Sequence, residues 1–192
     1  MTLLGALLAE SEIFVASDSQ LVKTDARSSG EEIRRVIRMY RLPGRNIVWG
    51  YVGEEPIGEE LRRTLELAAP ADWSDFDGHA SLFLAAANRA PGPGERRSDL
   101  TVVLAAGWFD HERRIVSFDE LGHPTQAADS SFIGWGKVEA RSALRAVNMA
   151  KPDTKGYAKL KIAMEATIEE CEGLEGPVQM WKVSASSVEL LR

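Results

Sequence analysis

With 192 residues, 44% of them hydrophobic and 27% charged, the chain suits a single globular domain spanning residues 1–192, and two domains would be cramped. A formal net charge of −6, with no dense Lys/Arg run, excludes a general attraction to nucleic acid or to an anionic membrane surface. The single cysteine, Cys171, excludes an intramolecular disulfide; no basic-then-apolar leader and no apolar run of membrane-spanning length is visible, so a cytoplasmic protein without a membrane partner is expected.

The first eighteen residues carry the strongest local signal. Two apolar runs, from Leu3 to Ala9 and from Ile13 to Ala16, flank Glu10-Ser11-Glu12, a break too short for anything but a hairpin turn. Antiparallel pairing would return the chain so that the Asp18 carboxylate lies beside the Thr2 hydroxyl. Removal of Met1 would place a free α-amine on Thr2. With a pKa of about 7.7 to 8.0, such an amine can take the proton from its own side-chain oxygen near neutral pH, which makes Thr2 a candidate nucleophile.

Further along, the polar stretch from Thr24 to Gly30 reads as a loop leading into a strand from Arg35 to Leu42. Pro43 to Asn46 is a turn, and Ile47 to Val52 makes a fourth strand, apolar on both faces. Ile57, Leu61, Leu65 and Ala68 then predict an amphipathic helix from Glu55 to Ala69, ended by Pro70. A second helix is expected from Asp75 to Arg89 with Phe76, Leu82, Phe83, Ala86 and Ala87 as its apolar set. Leu100 to Phe109 and Arg113 to Phe118 form another hairpin, followed by a short strand from Ser130 to Ile133.

A third helix, Lys137 to Asn148, should bury Val138, Leu144 and Val147. A fourth places Tyr157, Leu160, Met164, Ile168 and Cys171 on one face, with Gly173 closing it and two last strands between Val178 and Leu191. Strands, two helices, strands, two helices, strands: this order gives an α+β protein with antiparallel sheets packed between helical layers. His79, His111 and His123 show no metal-ligand spacing, and Cys171 on an apolar helix face reads as a small core residue.

Thr2 together with IFVASDS (residues 13–19), IRRVIRMY (33–40) and VWGYVG (48–53) resembles proteasome β-subunits and their bacterial HslV-type relatives, closely in the first quarter and thinly thereafter. The resemblance implies the four-layer αββα sandwich of N-terminal nucleophile (Ntn) hydrolases, a threonine-type endopeptidase chemistry on Thr2, and neither metal nor cofactor. It gives Asp18 the task of holding a lysine; here Arg34 stands at that place by ungapped count, or Arg35 if one residue is inserted. Arginine keeps the charge but, with a pKa above about 12, cannot accept a proton.

Gly53 falls where the family supplies a backbone N–H to the oxyanion. Glu55 falls near the substrate pocket, where a preference for basic residues competes with the plainer reading of a carboxylate at a helix N-terminus. Between Gly134 and Gly136, Trp135 replaces a serine beside the threonine amine and would fill pocket space. A further family aspartate and serine would fall at Cys171 and Leu174.

The resemblance also implies a homo-oligomeric ring, peptide or unfolded-protein substrates, and an unfolding ATPase as partner. Two readings follow. In one, the chain is a ring-forming subunit whose peptidase activity is weak or lost; in the other, it is an active threonine peptidase using Thr2, Asp18, Arg34 or Arg35, and Gly53.

Overall fold

The structure, a computed structural model, describes residues 2–24, 32–36, 39–88, 101–134 and 137–191; for 20–24 and 32–36 it describes the backbone alone. Strand β1 (Leu3–Ala9) and strand β2 (Glu12–Ser17) form the expected hairpin, with Glu10 taking a left-handed φ of 44° in its two-residue turn. The chain then runs through β3 (Gln20–Thr24) and β4 (Glu32–Val36), which among the described residues pair with each other alone, and β5 (Met39–Arg41). Strand β6 (Asn46–Val52) leads into helix α1 (Glu55–Ala68) and helix α2 (Trp73–Ala87).

After these come β7 (Val102–Phe109), β8 (Glu112–Phe118), β9 (Pro124–Ala127) and β10 (Ser130–Gly134). Helices α3 (Lys137–Met149) and α4 (Gly156–Glu170) follow, and β11 (Gln179–Val183) with β12 (Val188–Leu191) complete the chain. One antiparallel sheet has the order β10-β1-β2-β11-β12 and the other β5-β6-β7-β8-β9.

The two-residue alternation of each central strand builds the layers. On β1 and β2, Leu3, Leu7, Phe14 and Ala16 face α3 and α4, joining Ala143, Leu160 and Met164 in one cluster. On β6 and β7, Ile47, Trp49, Tyr51, Val103 and Ala105 face α1 and α2, meeting Leu61, Leu65, Trp73 and Phe76. The residues between them in sequence, Leu4, Ala6, Ile13, Val15, Val48, Val52, Leu104 and Ala106, fill the space between the sheets. Strands β1, β2, β6 and β7 are apolar on both faces because both are covered. Burial of each large side chain in these clusters is worth about 1.5–3 kcal/mol, and the result is the αββα sandwich expected from sequence.

Several details depart from the sequence reading. Among the described residues six strands, not four, precede the first helix. The strand expected from Arg35 to Leu42 is divided between β4, which belongs to the separate ribbon, and β5, which edges the second sheet. Strand β9 was not anticipated: Pro124-Thr125-Gln126-Ala127 is polar because it is an edge strand, and its register with β8 places it.

Helix α2 begins two residues early. The Asp72 side chain accepts from the Asp75 N–H at 2.8 Å while the Asp75 carboxylate accepts from the Ala71 N–H at 2.8 Å, a reciprocal cap. It buries Trp73, Phe76, Ala80 and Leu84, and leaves the expected Leu82, Ala86 and Ala87 exposed. Helix α3 likewise turns Val138 and Leu144 outward and buries Glu139, Ser142, Ala143 and Val147. The small face lets α3 approach α4, where Ser142 donates to Glu170 and Arg145 pairs with the same carboxylate at 2.9 Å. On α4 the expected Leu160 and Met164 are buried together with Ala163 and Thr167, and Tyr157 is exposed.

Candidate active site

The hairpin register pairs Leu4 with Ser17, which carries the start of β1 to the end of β2 and sets Asp18 opposite Leu3. The Leu3 N–H donates to Asp18 Oδ1 at 2.8 Å and the Asp18 N–H donates to the Leu3 carbonyl at 3.1 Å. Thr2, whose carbonyl belongs to the peptide that Asp18 grips, is 2% exposed and Asp18 is 4% exposed. Such a buried carboxylate is stable only when hydrogen-bonded, and the backbone donor supplies part of that.

A second grip comes from the C-terminal segment. The Ser19 hydroxyl donates to the Pro177 carbonyl at 2.6 Å, and the Ser19 N–H to the Glu175 carbonyl at 2.8 Å. The corner after β2 is thus clamped between β1 and the chain leading into β11. Ser17 Oγ, on the inter-sheet face, is buried and has no hydrogen-bond partner among the described residues. Sequence reasoning did not single out Ser19, because its partner Pro177 lies 158 residues away, nor Ser17, whose burial between the sheets shows only in the fold.

Gly53 lies just past β6 with φ +144°, a conformation that a side chain would oppose; a Cβ there would stand 2.5 Å from Thr101 Oγ1 and 2.6 Å from Thr101 Cα. The strand-to-helix turn expected there is present: Glu54 is the N-cap, and the helix follows at once with Glu55 and Pro56. Val52 of β6 and Leu4 of β1 belong to the same inter-sheet cluster, with Gly53 and Thr2 beyond its margin, one and two residues along. Glu55 is exposed in the first turn of α1, where the helix dipole favours a carboxylate.

Arg34 registers with Val22 and Arg35 with Leu21 in the β3–β4 ribbon, which leaves the corner directly after Asp18 and Ser19. Their side chains lie outside the description, as does Trp135 altogether. Leu174, at the position where a family serine was expected, is 6% exposed and sits in the apolar cluster under α3 and α4. Cys171 caps α4 and packs at the margin of that cluster; burial, with the Glu139 and Glu170 carboxylates adding to it, pushes its thiol above the usual value. Glu170 turns to α3, where it accepts from Ser142 and Arg145.

His79 and His123 serve local pairs with Asp75 and Asp119, each at 3.2 Å. Among the described residues no group of His, Cys, Asp and Glu is arranged to hold a metal ion, and no helix is long and apolar enough to cross a membrane.

This layering, two antiparallel sheets between helix pairs with a threonine at the head of the first strand, is that of an Ntn-hydrolase-like sandwich. Among solved structures the chain is similar to BPH of Thiobacillus denitrificans, with a TM-score of 0.67 and 16% identity over 95% of this chain and 98% of that one. BPH in complex with epoxomicin gives a TM-score of 0.68 at 16% identity, covering 96% and 100% of the two chains. HslV from Trypanosoma brucei gives 0.67 at 13% identity, covering 96% and 99%. No family model and no curated protein matches the sequence. The likeness that is close in the first quarter of the sequence extends, at the level of fold, over 95% to 96% of the chain.

Proposed function

We propose that the chain is a subunit of a proteasome-like or HslV-like ring in which threonine peptidase activity is weak or lost. The observation that carries this reading is the pair of positions where the resemblance expects an aspartate and a serine: they hold Cys171, at the margin of an apolar cluster, and Leu174, buried in it. Arginine at 34 and 35 points the same way. A guanidinium can hold Asp18 and stabilise charge, but it cannot relay a proton. Loss of a general acid–base partner costs about 10²- to 10⁴-fold in rate, so Thr2 would have to depend on its own α-amine.

A second reading, an active peptidase, is favoured by what is retained: Thr2 at the head of β1, Asp18 anchored to the adjacent peptide, and Gly53 at the strand-to-helix turn to which the resemblance assigns the oxyanion donor. In that case the Thr2 oxygen attacks the scissile carbonyl, its proton passes to the α-amine, and the Gly53 N–H stabilises the developing charge. Ring assembly, peptide substrates and an ATPase partner belong to the proposal through the resemblance, as does a cytoplasmic location.

The test combines intact mass with an epoxyketone such as epoxomicin, the compound held in the BPH structure. Cleavage before Thr2 is scored first, then adduct formation on Thr2 against a Thr2→Ala control. Slow or absent labelling, raised at least about tenfold by Arg34→Lys or Arg35→Lys, is expected. Peptide turnover at about 1 s⁻¹ or faster by the unaltered chain, abolished by Thr2→Ala, would establish the peptidase reading instead.

A further inference from the structure

The β6–β7 ladder stops at Val52 paired with Val102, so the next residues outward are Gly53 and Thr101. At that point both backbone polar groups of Thr101 are taken by one side chain. Asn88 Nδ2 donates to the Thr101 carbonyl at 2.9 Å, and the Thr101 N–H donates to Asn88 Oδ1 at 3.0 Å. Asn88 itself is fixed to the end of α2, its N–H donating to the Leu84 carbonyl at 2.9 Å. Asn88 and Thr101 are 6% and 0% exposed, so water does not compete for these bonds.

The two-bond clasp has a mechanical consequence. Thr101 backbone and side chain lie so close to Gly53 that no Cβ fits between them, and Gly53 holds its φ of +144° against that wall. On its other side the chain enters α1, whose Gly58 rests on the Tyr51 ring. The Gly53 peptide is thus bounded by Thr101 and by the first turn of α1, and what fixes Thr101 is Asn88.

We infer that Asn88 and Thr101 are positioning residues for the Gly53 peptide: the Asn88 clasp holds Thr101 as a wall that sets the direction of the Gly53 N–H. The inference rests on the reading of that N–H as an oxyanion donor, and a donor is effective only when it is held in place before charge develops. Thr101 acts by its backbone and its shape. Its hydroxyl has no hydrogen-bond partner among the described residues, so valine should replace it without loss.

Hydrogen exchange read by mass spectrometry tests the clasp independently of any activity. In the full chain, Asn88→Ala should accelerate exchange in the peptide spanning Val52 to Glu55 about tenfold while leaving the β8 peptide unchanged. Asn88→Asp, which keeps the acceptor and loses the donor, should do so to a smaller extent and covers failure of the alanine variant to fold. Thr101→Val should match the unaltered chain. Unchanged exchange at Val52 to Glu55 in both Asn88 variants overturns the inference.

Epoxyketone labelling of Thr2 supplies the second readout. Where the unaltered chain or its Arg34→Lys or Arg35→Lys variant is labelled, Asn88→Ala should lower the inactivation rate constant about tenfold at unchanged reversible affinity. An unaltered rate constant overturns the positioning role. If no variant is labelled, the peptidase reading fails and exchange alone decides the clasp.

Discussion

Leu3 and Asp18 hold one another through two bonds, amide to carboxylate in one direction and amide to carbonyl in the other. The side chain does what a strand would do if the ladder continued, while keeping a carboxyl group next to Thr2. Asp18→Ala leaves the Leu3 N–H buried without that acceptor and should cost about 1–3 kcal/mol of stability. Asp18→Asn preserves an oxygen acceptor and should cost clearly less. Urea denaturation of the two variants checks the order; equal losses would mean that the bond contributes nothing.

Gly53→Ala should be poorly tolerated for two separable reasons. Its φ of +144° lies where only glycine is comfortable, at a cost of about 1–3 kcal/mol, and its Cβ would meet Thr101 at 2.5 Å. Gly44, also at positive φ but with open space around the site of a Cβ, provides the control. Gly44→Ala should show only the smaller conformational loss in the same denaturation series.

The hairpin, the return of Asp18 to the head of β1 and the layers were legible because each rests on local periodicity: short apolar runs, a two-residue break, and strands apolar on both faces. The choice between Arg34 and Arg35 was not, because among the described residues β3 and β4 pair with each other, outside both main sheets, and no core periodicity distinguishes two adjacent arginines. Helix faces misled where apolar residues lie all round the helix. Val138 and Leu144 look like core, yet α3 turns its small residues to α4 because close approach and the Glu170 contacts outweigh two exposed side chains. The Asn88–Thr101 clasp joins residues thirteen apart across an intervening segment, and nothing in either residue's neighbours announces it.

Cys171 should be a sluggish thiol. Desolvation raises it, and the negative charges of Glu139 and Glu170 disfavour the thiolate further. Since only the thiolate attacks, the reaction with a disulfide reagent at pH 8 should be slower than that of free cysteine, with its pH midpoint above 9.0. A midpoint at or below the ordinary thiol value would reopen Cys171 as a nucleophile.

Tyr40 donates to Glu59 at 2.8 Å, and this bond, with help from Arg62, holds the Glu59 carboxyl below its usual 4.5. Desolvation, with the same hydrogen bond, pushes the Tyr40 phenol well above its ordinary value, so it stays a donor throughout the physiological range. A carboxylate with a depressed folded value stabilises the fold above its unfolded value, and that stability is lost as pH falls through the folded one. The stability advantage of the unaltered chain over Glu59→Gln should therefore be constant near neutrality and shrink below 4.5. Tyr40→Phe should weaken that shrinkage, which thermal melts between pH 3 and 7 would resolve.

Gly58→Ala sets helix propensity against packing. Alanine within α1 should gain about 1 kcal/mol over glycine. The added methyl, however, would collide with the Tyr51 ring, which is fully buried between Tyr40 and α1 and has no room to swing. Overpacking of this kind costs about 1–3 kcal/mol, so the substitution should be net destabilising. Reversal by a second change identifies the cause. In a Tyr51→Ala background the clash is gone and Gly58→Ala should become stabilising, giving a coupling of about 1–3 kcal/mol between the two positions in a double-mutant cycle. Additive losses would show that glycine is retained at 58 for some reason other than the approach of α1 to β6.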